Sequence, residues 1–168
     1  MATLNTPQAL IARWDELCRD SSLDDLPYKV ELSTSGKLEL SPRTVRRGLL
    51  VADLATQLQE KLPGGIVAIS CAVLTRTGIR VPDVVWVSHQ AWPRDDAGNL
   101  LERAPELCIE VCSLDREEKV PAYLSAGARE VWVVSEDASI RYFDTTGERK
   151  TTDFPVMLTW PPAKDWMQ

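Results

Sequence analysis

Ile79-Arg80-Val81-Pro82-Asp83-Val84-Val85-Trp86-Val87 and the later Leu107-Cys108-Ile109-Glu110-Val111-Cys112 are the two stretches on which the fold turns. Both are short, rich in β-branched residues and bounded by turn residues, so both predict core strands. Alternate residues of a strand share a face. Ile79, Val81, Asp83, Val85 and Val87 are therefore expected on one face of the first run, and Cys108, Glu110 and Cys112 on one face of the second. In each, one acid interrupts an apolar neighbourhood.

Outward from this pair, Ile66 to Leu74 and Val131 to Ser135 have the same strand character, and the four runs predict a central sheet. A helical segment ending at Ala126-Gly127 lies between the last two, so strand, helix and strand form a crossover with parallel strands. Ile140 to Asp144 adds an outer strand. Upstream, Ser41-Pro42 introduces an amphipathic run from Thr44 to Leu62 with Leu50, Leu54, Leu58 and Leu62 on one stripe, ended by Pro63-Gly64-Gly65. Thr6-Pro7 starts a first helix to about Arg19. Ser21 to Pro27 reads as a linker, and Tyr28 to Leu32 with Lys37 to Leu40 as a hairpin. The end, with Trp160-Pro161-Pro162 and Trp166, has no periodicity and is expected to anchor against the body through its aromatics. The class is α/β, a mixed central sheet flanked by helices, with an N-terminal helix and hairpin.

The length of 168 residues suits one domain: helix and linker over 1–27, core over 28–144 and a C-terminal extension over 145–168. A hydrophobic share of 44% and a charged share of 26% exclude a disordered or fibrous chain. No apolar run reaches membrane-spanning length, and Met1 to Asp15 lacks the order of a signal peptide, so a cytoplasmic protein is expected. Cys18, Cys71, Cys108 and Cys112 form no CxxC pair and are expected as reduced, mostly buried thiols. A net charge of −6 argues against nonspecific coating of nucleic acid and leaves room for a local basic patch.

A buried carboxylate without a partner costs several kcal/mol, so Asp83 and Glu110 each demand a cation, donors or a raised pKa. Taken singly, Asp83 is met by an arginine such as Arg80 or Arg129, and Glu110 by capping a backbone end. Taken together on successive core strands, they point to a shared metal or catalytic site, where a hard divalent cation satisfies both. Zinc does not fit. Cys108 and Cys112 lie about twice 6.6 to 6.8 Å apart along a strand, too far to share an ion. His89, the single histidine, has no ligand partner at suitable spacing and no GxSxG elbow beside it, and is expected in the loop after the Asp83 strand.

Val81-Pro82-Asp83-Val84-Val85-Trp86-Val87, Glu106-Leu107-Cys108-Ile109-Glu110-Val111-Cys112-Ser113, and Lys119 to Trp132 (KVPAYLSAGAREVW) follow one another in an order that resembles the Uma-two family of putative restriction endonucleases, a domain of unknown function in the PD-(D/E)XK nuclease superfamily. Gly36-Lys37-Leu38-Glu39-Leu40-Ser41-Pro42 is similar to that family's hairpin leading into its long helix, and the similarity runs from about Tyr28 to Asp144. The resemblance implies a restriction-endonuclease-like core, in which Asp83 and Glu110 hold Mg²⁺ (or Mn²⁺) with the Val111 carbonyl. Cys112 stands where the superfamily usually has lysine. The resemblance places the family's lysine on the following helix, four residues before a tyrosine, as Lys119 is before Tyr123. Arg47 occupies the place of the family's usual histidine. A homodimer is also implied.

For a nuclease, the metal polarises the phosphate and lowers the pKa of a bound water, and Lys119 orients that water or offsets phosphorane charge. Pro121 leaves the helix start open. Either Asp115 begins it with Glu118 in a capping-box position, or Pro121 begins it and leaves Lys119 on a loop. Glu31 or Glu39 can add a ligand or a base, or both are surface acids of the hairpin. Arg43, Arg46 and Arg47 cluster where a helix dipole disfavours positive charge, which phosphate contact explains; three solvated arginines explain it as well. The expected activity is Mg-dependent endonucleolytic hydrolysis of nucleic acid, with DNA as the expected partner. The rival reading is an inactive nuclease-fold module for binding or assembly.

Overall fold

Helix α1 (Pro7–Leu17) begins where a hydroxyl precedes a proline: Thr6 accepts a hydrogen bond from the Ala9 N–H at 3.3 Å. The computed structural model describes residues 6–93 and 98–160, so Pro161, Pro162 and Trp166, like the first five residues, lie outside the described residues. After a 3-10 turn at Ser21–Leu23 come the antiparallel strands β1 (Tyr28–Ser33) and β2 (Leu38–Pro42), in the hairpin positions expected. Helix α2 (Val45–Lys61) is capped by Thr44, whose hydroxyl accepts from the Arg47 N–H at 3.2 Å.

Seven further strands and a crossover helix carry the described chain through β9: β3 (Gly65–Ile69), β4 (Val73–Thr75), β5 (Gly78–Arg80), β6 (Val84–Ser88), β7 (Leu107–Val111), α3 (Arg116–Ser125), β8 (Glu130–Val134) and β9 (Ile140–Asp144). A short β10 (Gly147–Arg149) pairs with β9 at the sheet edge. Two sheets result, one ordered β2-β1-β5-β4 and one ordered β10-β9-β8-β7-β6-β3. The β7–β8 pair is parallel and joined by α3, as the crossover pattern predicts, whereas the other pairings of both sheets are antiparallel.

Two expected strands each prove to be two. The run Ile66 to Leu74 breaks after Ile69, where Ser70 takes a left-handed φ of 56°, and resumes as β4 in the other sheet. The run Ile79 to Val87 breaks at Val81-Pro82-Asp83, with β5 in the four-stranded sheet and β6 in the six-stranded one. Proline has no N–H for a ladder, and here the chain crosses between sheets. The alternation extrapolated through Asp83 therefore fails. Val81 packs with α1, and Val85 packs beneath α3.

The leucine stripe of α2 covers one face of the larger sheet, with Leu50, Leu54, Leu58 and Leu62 against Val84, Trp86, Leu107, Ile109 and Trp132. On the other face Val120 and Tyr123 of α3 meet Val85, Cys108, Val131 and Val133. Leu10, Trp14 and Leu17 of α1 close the smaller sheet over Leu32 and Ile79. The C-terminal stretch is anchored by aromatics, as expected: Phe154 meets Trp86 and Trp132 edge-on at 5.6 and 6.2 Å, and Trp160 packs on the same core. All four thiols are free, but only Cys108 is fully buried and Cys18 is exposed. Among the described residues no helix is long and apolar enough to cross a membrane.

Gly78 is the residue on which the β1–β5 pairing depends. Its φ is 119°, and a Cβ there would run into the Leu32 carbonyl oxygen. Gly78→Ala is expected to destabilise the chain by more than about 1 kcal/mol, read as a lowered urea midpoint.

Candidate metal centre

Strands β6 and β7 bring the two acids together. Their antiparallel register pairs Val85 with Cys108 and Val84 with Ile109, so one step further Asp83 stands opposite Glu110, and the Asp83 N–H donates to the Ile109 carbonyl at 2.9 Å. Like charges directly opposite repel, and both side chains are buried, Glu110 completely. What makes the pair tolerable comes from elsewhere in the chain.

Lys29, on β1, is the first compensating group. Its ammonium lies 3.0 Å from Glu110 Oε2 and 3.4 Å from Asp83 Oδ1, with Glu31 Oε1 at 3.9 Å. Arg47, on the first turn of α2, donates to Asp83 Oδ1 at 2.6 Å, and the Val111 N–H donates to Asp83 Oδ2 at 2.7 Å. From α3, Tyr123 donates its hydroxyl hydrogen to Glu110 Oε1 at 2.6 Å. Lys119 stands 2.8 Å from Glu31 Oε2 and 3.8 Å from Glu110 Oε2. Glu31 Oε1 accepts the Val81 N–H at 2.8 Å. Among the described residues no buried side-chain nitrogen or oxygen is left without a partner.

These contacts fix the charge states. Burial alone would raise the Glu110 pKa, but the Lys29 and Lys119 charges and the Tyr123 hydroxyl outweigh it and hold the carboxyl below its ordinary value. Burial alone would lower Lys119, yet Glu110 and Glu31 keep it above the usual lysine value. Burial, reinforced by Glu110, pushes Tyr123 well above the usual tyrosine value. At neutral pH Glu110 is a carboxylate, Lys119 an ammonium and Tyr123 a phenol that can only donate to it.

The helix start that Pro121 leaves open is settled. Helix α3 runs from Arg116 with Pro121 inside it, so Lys119 is helical. The capping box does not form: Asp115 makes no side-chain cap, and Glu118 instead meets Arg80 at 2.9 Å. Glu31 is buried, so it is no surface acid of the hairpin, and it faces Lys119. Glu39 binds Arg80 and stays partly exposed. The three arginines do not act as one patch. Arg47 is buried on Asp83, Arg46 donates to the Glu136 carbonyl at 2.6 Å, and Arg43 is exposed at a cavity. The arginine that meets Asp83 is Arg47; Arg129 lies over the Phe154 ring at 5.0 Å. Cys112 follows β7 with a φ of 53°, which turns the chain out of the ladder. His89 lies in the turn after β6.

Lys29 is the residue of this site that sequence reasoning missed. Its signal was available: in β1, Lys29 and Glu31 are two apart and share a face. A charged pair on one face of a strand is ordinarily solvent-facing, and only the packing of β1 across the ends of β6 and β7 makes it internal. Beside the acids lies a cavity of about 190 Å³ lined by Lys29, Arg43, Arg47, Ser70 and Asp83 among others. A roomier one of about 630 Å³, between Val87, Leu101 and Gly127, shares no residue with it. Among the described residues, no three Asp, Glu, His or Cys side chains converge as a ready-made metal cluster.

An α/β core with paired acids at the open ends of two central strands is the architecture of a nuclease-like fold. A solved structure agrees: a protein from Anabaena variabilis ATCC 29413, titled a putative nuclease belonging to DUF820, superposes with a TM-score of 0.66 over 92% of each chain at 16% identity. The chain belongs to the Uma2 family, whose model, described as "Putative restriction endonuclease", matches residues 14–159. No curated protein matches it.

Because the folded chain holds Glu110 below its ordinary pKa, the stability this group contributes is complete above that ordinary value and is lost as pH falls through the carboxylate range. Tyr123→Phe removes one cause of the depression and leaves Glu110 Oε1 without its donor. It is expected to cost about 1–3 kcal/mol at neutral pH and to move the acid-unfolding midpoint to higher pH, both followed by circular dichroism.

Proposed function

We propose that the chain is a metal-dependent endonuclease that hydrolyses phosphodiester bonds of nucleic acid, DNA being the expected substrate. One observation carries the reading: Asp83 and Glu110 reach a single cationic point, the Lys29 ammonium, within 3.4 and 3.0 Å. Two hard-oxygen carboxylates that already share one cation suit Mg²⁺ or Mn²⁺. Asp83, Glu110 and the Val111 carbonyl would hold the ion. Bound there, it would supply Lewis acidity toward the phosphate and a water of lowered pKa.

The chain's own residues account for the rest. Arg47 and the Val111 N–H hold both oxygens of Asp83, and Tyr123 orients Glu110. Lys119, kept protonated by its two acids, acts as a fixed positive charge near the phosphorane and not as a base. The cavity beside Asp83 equals about six water volumes at roughly 30 Å³ each, enough for a phosphate group. Lys29, Arg43 and Arg47 line it, and the α2 N-terminus adds to its positive potential. We place the protein in the cytoplasm as a single domain acting as a homodimer, in keeping with the family reading.

A second reading, an inactive module for binding or assembly, is favoured by one observation: each oxygen of Asp83 and Glu110 already has a donor from the protein. Nicking of supercoiled plasmid in Mg²⁺ or Mn²⁺, with EDTA and an RNA substrate as companions, separates the two. Cleavage is expected to fall by more than about 100-fold in Asp83→Ala and Glu110→Gln and by on the order of 100-fold in Lys119→Met. No cleavage, together with no metal-induced thermal shift, would leave the second reading standing.

A further inference from the structure

We infer that Lys29 is the resident counter-ion of the metal position, and that a divalent ion enters by exchanging with it as a phosphodiester arrives. The inference rests on the metal-dependent reading above and adds to it how the site is controlled.

The charge inventory carries the argument. Three buried cations, Lys29, Arg47 and Lys119, face three buried carboxylates, Glu31, Asp83 and Glu110. Arg80 is also buried and stands 4.0 Å from Glu31, but its charge is answered from outside the cluster by Glu39 and Glu118. The centre is therefore neutral as it stands, and neutrality is what a buried cluster requires. A divalent ion added to it would leave two uncompensated positive charges among buried side chains. Withdrawal of the Lys29 ammonium removes one of them, and arrival of a phosphodiester anion removes the other. Lys29 occupies the point that the two acids share, so the same movement clears the space.

The ammonium has somewhere to go. Lysine carries its charge on a flexible four-carbon stem, and the side chain already borders the cavity that Arg43, Thr44 and Arg47 line. A phosphate there would meet Lys29, Arg43 and Arg47 together. In the resting chain Lys29 thus neutralises the acids, and in the loaded chain it stands beside the phosphate in that cavity. Arg47 cannot take its place at the acids, because it is bound to Asp83 Oδ1 from a helix packed on the sheet.

Mn²⁺ binding, measured by titration calorimetry and by thermal shift, tests the exchange. Lys29→Gln is expected to bind Mn²⁺ at least tenfold more tightly than the wild type and to gain a larger Mn²⁺-induced rise in Tm; addition of Asp83→Asn abolishes both. If the uncompensated acids unfold Lys29→Gln in EDTA, recovery of the fold on adding Mn²⁺ is the supporting result. A second measurement needs no variant of Lys29. Acetylation of its amine in the wild type, followed by mass spectrometry, is expected to rise at least threefold at saturating Mn²⁺ plus dimethyl phosphate, and not to rise in Asp83→Asn. Equal Mn²⁺ affinity in wild type and Lys29→Gln, lost with Asp83→Asn, or Mn²⁺ binding without a change in Lys29 acetylation, overturns the exchange and leaves the metal reading intact. No Mn²⁺ response in either protein overturns both.

Discussion

The contact between Lys29 and the Asp83–Glu110 pair is the interaction on which the site depends. It requires β1 to lie across the ends of β6 and β7, and that in turn requires the chain to pass twice between sheets, at Ser70 and at Val81-Pro82-Asp83. The crossings are therefore part of the site's construction. Pro82 interrupts the ladder just before Asp83, so this acid sits at a strand entrance where its carboxylate can take the Val111 N–H of the neighbouring strand. A continuous strand would have used that N–H in its own ladder.

The two helices flanking the larger sheet serve the site as well as the core. Helix α2 buries a leucine stripe along its length and sends Arg47, from its first turn, to Asp83. Helix α3 buries Val120 and Tyr123 and sends Lys119 and the Tyr123 hydroxyl to Glu110 and Glu31. In a helix, residues four apart stand on one face, so the spacing of Lys119 and Tyr123 brings both to the same acids. The place after Val111 is taken by Cys112 at a left-handed φ, where the chain is already turning out of the strand. Lys119 brings its charge to Glu31 and Glu110 from α3.

Net charge is a poor guide to such a centre. The chain carries −6 overall, yet the cavity beside Asp83 is lined by three cations. In a confined space of low dielectric the nearest charges set the potential, while the acids of the outer surface are screened by water and salt. Buried ion pairs of this kind add little net stability over apolar packing, but the loss of any single member leaves a charge uncompensated and is costly. The arrangement is tuned for placing charges.

Much of this was legible in the amino-acid sequence. The helical spacing of Leu50 to Leu62, the Thr6-Pro7 cap, the hairpin around Gly36 and the strand–helix–strand crossover from Leu107 to Val134 follow from local periodicity and turn chemistry, which a linear chain displays directly. Asp83 and Glu110 announced themselves as charges among apolar neighbours, for the same reason. The tertiary structure alone decided which cations meet them. Arg80, near Asp83 in sequence, turns to Glu39 and Glu118, while Arg47 and Lys29 arrive from a helix and a strand far upstream. It also decided that Lys29 and Glu31 are internal, because a charged pair on one strand face looks solvated until another sheet covers it. A sequence records which groups cannot be buried alone; which partner reaches each one depends on how strands cross in three dimensions.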